Sequence, residues 1–187
     1  MIGKTKELEK IFEEANKNFL KRNSMLFEMQ VSERTLCGAL MIELYEMIKG
    51  TRYSSYFVDV EYNRNIGGKL KTMSKTIKGP TEEIITINCD LIVHSRGQNR
   101  KQDNLIAIEM KKSTAKKSAK DSDRVRLKCL TTKNYDSVYS DEEKISPEHV
   151  CGYGLGIYYE VDFRQNKILL EYYSEGCCYQ QVEMPIY

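Results

Sequence analysis

The sequence predicts an α/β domain in which a mixed central β-sheet is flanked by α-helices. In two segments near the N-terminus, apolar residues recur at three- and four-residue intervals, the spacing of an amphipathic helix. Short runs rich in β-branched and aromatic residues follow, and one further helical segment lies between the third and fourth of these runs. Because a strand–helix–strand crossover is right-handed and joins parallel strands, the sheet is expected to be mixed.

Two helices are predicted before the first strand. Residues 4–22 place a row of apolar side chains on one face, which is expected to pack against the core. These are Leu8, Ile11, Phe12, Ala15 and Phe19. Ser32 is a suitable N-cap for a second helix, which Gly50 would end.

Three strands are predicted in the middle of the chain, over residues 56–62, 84–94 and 105–111. They are expected to form an antiparallel meander. Residues 63–83 contain several glycines and lysines and are interpreted as a long basic connection between the first two strands.

A third helix and a hairpin complete the prediction. The Lys-rich residues 111–120 show no apolar periodicity, whereas the segment after them is typical of a capped helix with Val125, Leu127 and Leu130 on its inner side. Residues 153–173 are expected to form a C-terminal β-hairpin, whose first strand runs parallel to the third strand.

Length and composition limit the class of protein. A chain of 187 residues with 41% hydrophobic content is expected to form a single domain over residues 1–187. The formal net charge of +2, from 29 basic and 27 acidic residues, does not by itself indicate a nucleic-acid partner. No apolar run in the sequence is long enough to cross a membrane, so no membrane partner is expected. The polar N-terminal segment and six cysteines without a CxxC pair favour a cytoplasmic protein with reduced thiols.

Opposite charges stand at the end of an otherwise apolar strand. Side chains alternate across a strand, so Glu109 and Lys111 share one face, and Asp90 in the preceding predicted strand can lie beside Glu109. Glu33 projects from the first turn of the second helix within its apolar stripe. Carboxylates facing a core are costly unless they meet a cation, a proton or a hydrogen-bond network. The alternative at this point is a structural ion pair, or for Glu33 an ordinary acid at a helix N-terminus.

Such a group of residues suits one kind of chemistry. Asp90, Glu109 and the Met110 carbonyl are hard oxygen donors of the kind that Mg²⁺ and Mn²⁺ prefer, and Glu33 could bind a second ion or its water. Lys111 would position the water or stabilise charge on a pentavalent phosphorus. The sequence therefore predicts hydrolysis of phosphodiester bonds.

The order of these residues resembles the PD-(D/E)XK nuclease superfamily, which has the restriction-endonuclease-like fold. Asp90 is followed after eighteen residues by Glu109-Met110-Lys111, and a helix carrying Glu33 precedes them. The segments SERTLCGAL, VDVEYNRN, CDLIVHSRG and NLIAIEMKKS are similar to small, mostly uncharacterised bacterial and phage members. The resemblance covers about residues 31–161 and departs from the family where Cys89 replaces a frequent proline.

The resemblance implies a nuclease, acting as an endonuclease or exonuclease on DNA, with RNA not excluded. It implies metal-binding roles for Glu33, Asp90 and Glu109, a catalytic role for Lys111, and a place for Glu61 near the site, where a salt bridge to Arg64 is the alternative. His94 is a further accessory candidate. A homodimer is possible, since two centres would cut both strands of a duplex.

Basic residues in loops around the predicted site are candidates for phosphate contacts. They are Lys112, Lys116, Lys117, Lys120, Arg64, Lys69, Lys71 and Arg96. A solvated surface is the alternative for the lysine run. The rival function is a non-catalytic nucleic-acid-binding or assembly module that retains the same fold, and a second rival is a structural ion-pair cluster in an unrelated α/β protein.

Overall fold

The computed structural model describes residues 2–62, 72–76, 82–86, 89–99, 101–132, 138–141, 144–147 and 151–186. Four helices lie in these ranges: α1 Ile2–Arg22, α2 Ser24–Glu28, α3 Glu33–Lys49 and α4 Lys117–Thr131. The strands are β1 Phe57–Val60, β2 Thr72–Thr76, β3 Glu82–Thr86, β4 Leu91–His94, β5 Asn104–Lys112, β6 Val138–Asp141, β7 Lys144–Pro147, β8 Leu155–Asp162, β9 Lys167–Ser174 and β10 Cys177–Pro185. None of the helices in these ranges is long and apolar enough to span a bilayer.

The main sheet has six strands in the order β1-β4-β5-β8-β9-β10. The pair β5–β8 is parallel, and the other neighbouring pairs are antiparallel. The α/β class with a mixed, helix-flanked sheet is therefore confirmed, as are the β1–β4–β5 meander and the parallel fourth strand. The strands β2–β3 and β6–β7 form two separate antiparallel hairpins.

The core has two parts, one on each face of the sheet. On one face, α1 packs against β8 and α3 packs against β5, where Ile106, Ile108 and Met110 are buried. On the other face, α4 packs Leu127 and Leu130 against a second buried cluster. The central strands are thus covered on both sides, which explains why their sequences are almost continuously apolar.

The N-terminal helices follow the predicted pattern closely. The predicted inner face of α1 is buried at all of its positions, which are Leu8, Ile11, Phe12, Ala15 and Phe19. Ser32 is the N-cap of α3 and accepts a hydrogen bond from the Thr35 N–H at 3.2 Å, while Gly50 is the C-cap. The short helix α2 was not predicted.

The strand predicted over residues 84–94 is wrong, because two strands lie in that range. β3 pairs with β2, and β4 begins only at Leu91. Asp90 therefore precedes the strand. Its carboxylate accepts the backbone N–H of Met110 at 2.8 Å, so a side chain provides the contact that a neighbouring strand's carbonyl would provide in a regular ladder.

Three other predictions on segments need correction. Residues 63–83 are not only a connection, since β2 lies within them. The helix α4 begins at Lys117, inside the supposed Lys-rich loop, and Val125 is 46% exposed although Leu127 and Leu130 are buried. At about 100° per residue, Val125 lies roughly opposite Leu127. The hairpin β6–β7 and the edge strand β10 were not predicted.

Replacement of glycine by alanine is expected to have opposite effects on stability at two positions. A Cβ at Gly156 in β8 would meet Thr131 Cγ2 at 2.8 Å and Tyr173 Cβ at 3.1 Å, whereas a Cβ at Gly38 in α3 meets nothing within 4 Å. We expect Gly156→Ala to lower the free energy of unfolding by about 1–3 kcal/mol through overpacking. Gly38→Ala should raise it by about 0.5–1 kcal/mol, because alanine favours a helix interior. Urea unfolding followed by circular dichroism measures both, and a shift of both variants in the same direction would contradict the expectation.

Candidate active site

The ammonium of Lys111, at the end of β5, lies among carboxylates from three other segments. Its Nζ is 3.1 Å from Asp123 Oδ2, 3.6 Å from Asp90 Oδ2 and 3.8 Å from Glu33 Oε2. It also donates a hydrogen bond to the Met110 carbonyl at 3.2 Å. The structure thus brings Glu33, Asp90 and Lys111 together as the sequence predicts, and adds Asp123.

Glu33 is positioned by the start of α3. It is the first helical residue after the N-cap Ser32, and its Oε1 accepts the backbone N–H of Lys112 at 2.7 Å. Its other oxygen, Oε2, faces Lys111. One side chain therefore joins the N-terminus of α3 to the end of β5, which goes beyond the role of an ordinary acid at a helix N-terminus.

Asp90 is held in place by hydrogen bonds to its side chain and to its backbone carbonyl. Its Oδ2 accepts the Met110 N–H at 2.8 Å, and its backbone carbonyl accepts the Glu61 N–H at 3.2 Å. Glu61 has a left-handed backbone conformation with φ 51°, which is uncommon for a residue other than glycine. The turn after β1 and the start of β4 are thereby held together at the site.

Glu109 is fully buried and forms an ion pair with a residue that the sequence did not indicate. Its Oε1 accepts a hydrogen bond from Arg126 Nη1 at 2.7 Å, while its Oε2 makes no hydrogen bond within the described part of the chain. Burial first, and then repulsion by Asp90 and Asp123, raises the pKa of Glu109 to about 8, although Arg126 acts to lower it. Arg126 thus compensates the ionised form of Glu109 only in part, and the protonated form is favoured up to about pH 8.

Asp123 and Arg126 of α4 are the functional candidates that the sequence interpretation missed. Asp123 is buried on the same helix face as Leu127 and Leu130, and its Oδ1 accepts from Arg126 Nη1 at 3.1 Å. The signal was present: Asp123 precedes Leu127 by four residues and Leu130 by seven, which places a carboxylate on the apolar face of the helix.

These side chains form what we call the charged cluster. Its carboxylates are those of Glu33, Asp90, Glu109 and Asp123, and its cationic groups are those of Lys111 and Arg126. Negative charges exceed positive charges by two when all groups are ionised, and by one while Glu109 keeps its proton. An excess of this size in a largely buried cluster is a condition that a divalent cation would relieve.

The fit of the charged cluster to Mg²⁺ or Mn²⁺ rests on charge and donor type. Carboxylate oxygens are the preferred ligands, and the second oxygen of Glu109 is buried without a hydrogen bond in the described part of the chain. Within the described ranges, however, no three Asp, Glu, His or Cys side chains are spaced as ligands of one ion. The donors and the excess charge therefore fit a divalent cation, whereas the spacing is that of an ion-pair network centred on Lys111.

The charged cluster borders a cavity of about 370 Å³. Glu33, Asp90 and Cys37 line it, together with an ion pair of 2.7 Å between Arg34 and Glu61. Glu61 therefore lines the same cavity as Glu33 and Asp90 and forms an ion pair with Arg34, while Arg64 lies outside the described residues. Two larger cavities, of about 770 and 740 Å³, lie between α1 and the C-terminal strands and include none of the predicted site residues.

Comparisons with known proteins were made against family models, curated proteins and solved structures. None of the three finds a match.

Two predicted residues lie apart from the charged cluster. His94 is at the far end of β4 from Asp90, is 1% exposed, and contacts Asp59 Oδ2 through Nε2 at 2.9 Å. Arg96 donates to the same Asp59 through Nε at 2.8 Å, which lowers the pKa of that carboxyl against the opposing effect of its burial. His94 and Arg96 thus both contact Asp59, at the opposite end of β4 from Asp90.

The predicted phosphate-binding lysines differ in availability. Lys120 donates to Glu160 at 2.8 Å and to the Ser113 carbonyl at 2.7 Å, and Lys112 donates to the Gln30 carbonyl at 3.0 Å. Lys116 and Lys117 are exposed at the start of α4. The candidates Arg64, Lys69 and Lys71 lie outside the described residues.

The burial of Glu109 makes stability depend on pH in a defined direction. The folded chain keeps the Glu109 proton up to about pH 8, whereas the unfolded chain loses it near the ordinary value of 4.5. Between these values the folded state binds more protons, so the stability contributed by this group falls as pH rises. We expect Glu109→Gln to remove that fall. The melting temperature of the variant, relative to that of the wild type, should therefore be higher at pH 8 than at pH 5.

A matched control is available in Glu171, which is also buried and is bonded to an arginine, Arg124. Burial acts to raise the pKa of Glu171, but the hydrogen bonds from Arg124 and Tyr173 and the charge of Arg124 together outweigh it, so the pKa is lowered. Both states are then ionised between pH 5 and pH 8, and Glu171→Gln should change the melting temperature by the same amount at both. Differential scanning calorimetry at pH 5 and pH 8 measures these melting temperatures. A difference between Glu109→Gln and the wild type that is the same at both pH values would contradict the raised pKa of Glu109.

Proposed function

We propose that the chain is a Mg²⁺- or Mn²⁺-dependent nuclease that hydrolyses phosphodiester bonds in DNA. The observation that carries the proposal is the meeting of Glu33 and Asp90 at the ammonium of Lys111, with Glu109 buried alongside. Three distant segments supply these acids, and the excess of negative charge calls for a further cation. The resemblance to the PD-(D/E)XK superfamily supports the same activity.

Asp90 and Glu109 would hold the ion, with the Met110 carbonyl as a further oxygen donor, and Glu33 would bind a second ion or the water of the first. When bound, a divalent cation supplies a Lewis acid that polarises a phosphoryl oxygen and lowers the pKa of a water. Each acid is oriented by a separate hydrogen bond: Glu33 by the Lys112 N–H, Asp90 by the Met110 N–H and Glu109 by the Arg126 guanidinium. Their oxygens are thus preorganised by the protein before any ligand arrives.

Lys111 would act on the reacting phosphate. Burial acts to lower its pKa, but Asp90 and Asp123 outweigh burial and raise the pKa above its ordinary value. The amine is therefore a permanent cation that can donate hydrogen bonds to phosphate oxygens and stabilise the charge that develops on them. It serves as an electrostatic group and not as a general base.

The start of α4 supports binding of the DNA backbone. Lys116 and Lys117 are exposed there, and a helix N-terminus of this length is favourable for a phosphate. Such contacts neutralise phosphates without reading base sequence. A homodimer, which would bring two centres to a duplex, stays a prediction.

A non-catalytic nucleic-acid-binding module is the second candidate function, and one observation favours it. Glu109 is already paired with Arg126, and the described carboxylates are not spaced as a formed metal site. Such a module would bind DNA and show no cleavage with any divalent ion.

Cleavage assays with single-stranded, double-stranded and branched DNA test the activity. We expect Mn²⁺-dependent cleavage by the wild type and a loss of at least about 100-fold in Asp90→Asn and Lys111→Met, because each removes charge from the reacting position. Asp121→Asn, which changes an exposed acid on α4, should keep wild-type activity. Binding without cleavage by the wild type would favour the module instead.

Metal binding can be measured without activity. Mn²⁺ should raise the melting temperature of the wild type, because a ligand that binds only the folded state stabilises it. Asp90→Asn should lose that increase, while Asp121→Asn should keep it. No Mn²⁺ effect on the wild type in differential scanning calorimetry would count against the metal site.

The lysines at the start of α4 predict a salt dependence. Each phosphate contact contributes about 0.9 to the slope of log affinity against log salt for duplex DNA. Replacing both Lys116 and Lys117 by alanine should reduce the slope by about 1.8 in fluorescence anisotropy. Lys17→Ala on α1, where the side chain is 70% exposed, is the control and should leave the slope unchanged. An unchanged slope in the double variant would remove α4 from the binding surface.

A further inference from the structure

The acid closest to Lys111 is not one of the proposed metal ligands. Asp123 Oδ2 lies 3.1 Å from Nζ, nearer than Asp90 at 3.6 Å or Glu33 at 3.8 Å. Asp123 belongs to α4, on the far side of the charged cluster from α3. It therefore contacts the amine from a separate layer of the fold.

Asp123 is held in place by its own neighbours. It is 3% exposed, and its second oxygen accepts from Arg126 Nη1 at 3.1 Å. The same nitrogen donates to Glu109 Oε1 at 2.7 Å. A buried carboxylate is retained only when it is paired in this way, so Asp123 and Arg126 together hold the two charged residues at the end of β5.

The helix that carries Asp123 is itself anchored to the sheet. Arg124 donates to Glu171 at 2.8 Å, and its guanidinium lies 4.1 Å from the centre of the Tyr158 ring. Lys120 contacts Glu160 at 2.8 Å. With these contacts on β8 and β9, α4 forms a fixed support from which Asp123 reaches the amine.

Cation binding by the other acids would weaken their hold on Lys111. A divalent ion held by Asp90 and Glu109 would repel the ammonium, and it would compete with the ammonium for the carboxylate of Asp90. Asp123 is not among the oxygen donors assigned to the ion, so it can keep its contact with the amine. We propose that Asp123 is a positioning residue that holds Lys111 at the reacting phosphate while the ion occupies the other acids. This inference rests on the proposed nuclease function.

The kinetic test compares two aspartates on one helix. Asp123→Asn should lower kcat by about 10- to 100-fold, the usual effect of losing a group that orients a functional side chain, with KM for DNA and the Mn²⁺ dissociation constant unchanged. Asp121→Asn, two residues away and exposed, should keep all three values. Asp123→Glu should recover part of kcat because it restores the charge. An Asp123→Asn variant with wild-type kcat would overturn the inference.

A second measurement does not depend on activity. In ¹⁵N–¹H correlation spectra of the lysine ammonium groups, the Lys111 signal is assigned by its disappearance in Lys111→Arg. It should be retained in Asp121→Asn and be shifted or lost in Asp123→Asn, with folding of each variant checked by circular dichroism. If Asp123→Asn does not fold, Asp123→Ser is measured in the same way.

The two measurements separate the inference from the function on which it rests. If the wild type does not cleave DNA, the proposed nuclease function fails, and the ammonium signal alone decides whether Asp123 holds Lys111. An ammonium signal that is the same in the wild type and in the Asp123 variant would reject the positioning role whatever the activity.

Discussion

The ammonium of Lys111 is the interaction on which the arrangement of this end of the sheet depends. It draws together the start of α3 through Glu33, the turn before β4 through Asp90 and the inner face of α4 through Asp123. The two helical layers lie on opposite faces of the sheet, and the end of β5 is where charged groups from both of them meet. Without the amine, three carboxylates would face one another in a mostly buried space, at a large electrostatic cost.

The same cluster retains an unfavourable charge balance that stability alone does not explain. A structural ion-pair network is most favourable when its charges cancel, and apolar residues of similar volume often do better. Here Glu109 is buried beside Asp90 and Asp123, with only Arg126 to compensate it. Strongly shifted pKa values of this origin concentrate at functional sites, where electrostatic conflict is kept because a ligand relieves it. This favours the proposed metal-dependent activity over a purely structural role.

Much of the fold could be predicted from the sequence because its signals are local. Apolar periodicity and the Ser32 cap define α1 and α3, and strand alternation places Glu109 and Lys111 on one face. The errors arose where tertiary contacts decide. Asp90 replaces a ladder contact with its side chain, so β4 begins only at Leu91 and leaves Asp90 outside the strand. The cation that pairs with Glu109 is determined by how α4 crosses the sheet. The sequence therefore did not indicate Arg126 as this partner.

Helix α4 would link the two activities that the proposed nuclease must combine. Its N-terminus presents Lys116 and Lys117 to solvent, and its second turn directs Asp123 and Arg126 into the charged cluster. Six residues separate Lys117 from Asp123, which is about 9 Å along a helix axis. A phosphate held by the exposed lysines would thus lie within a short distance of Lys111, on the same rigid element. Binding of the DNA backbone and orientation of the catalytic amine would then be set by one helix, whose contacts with β8 and β9 fix both.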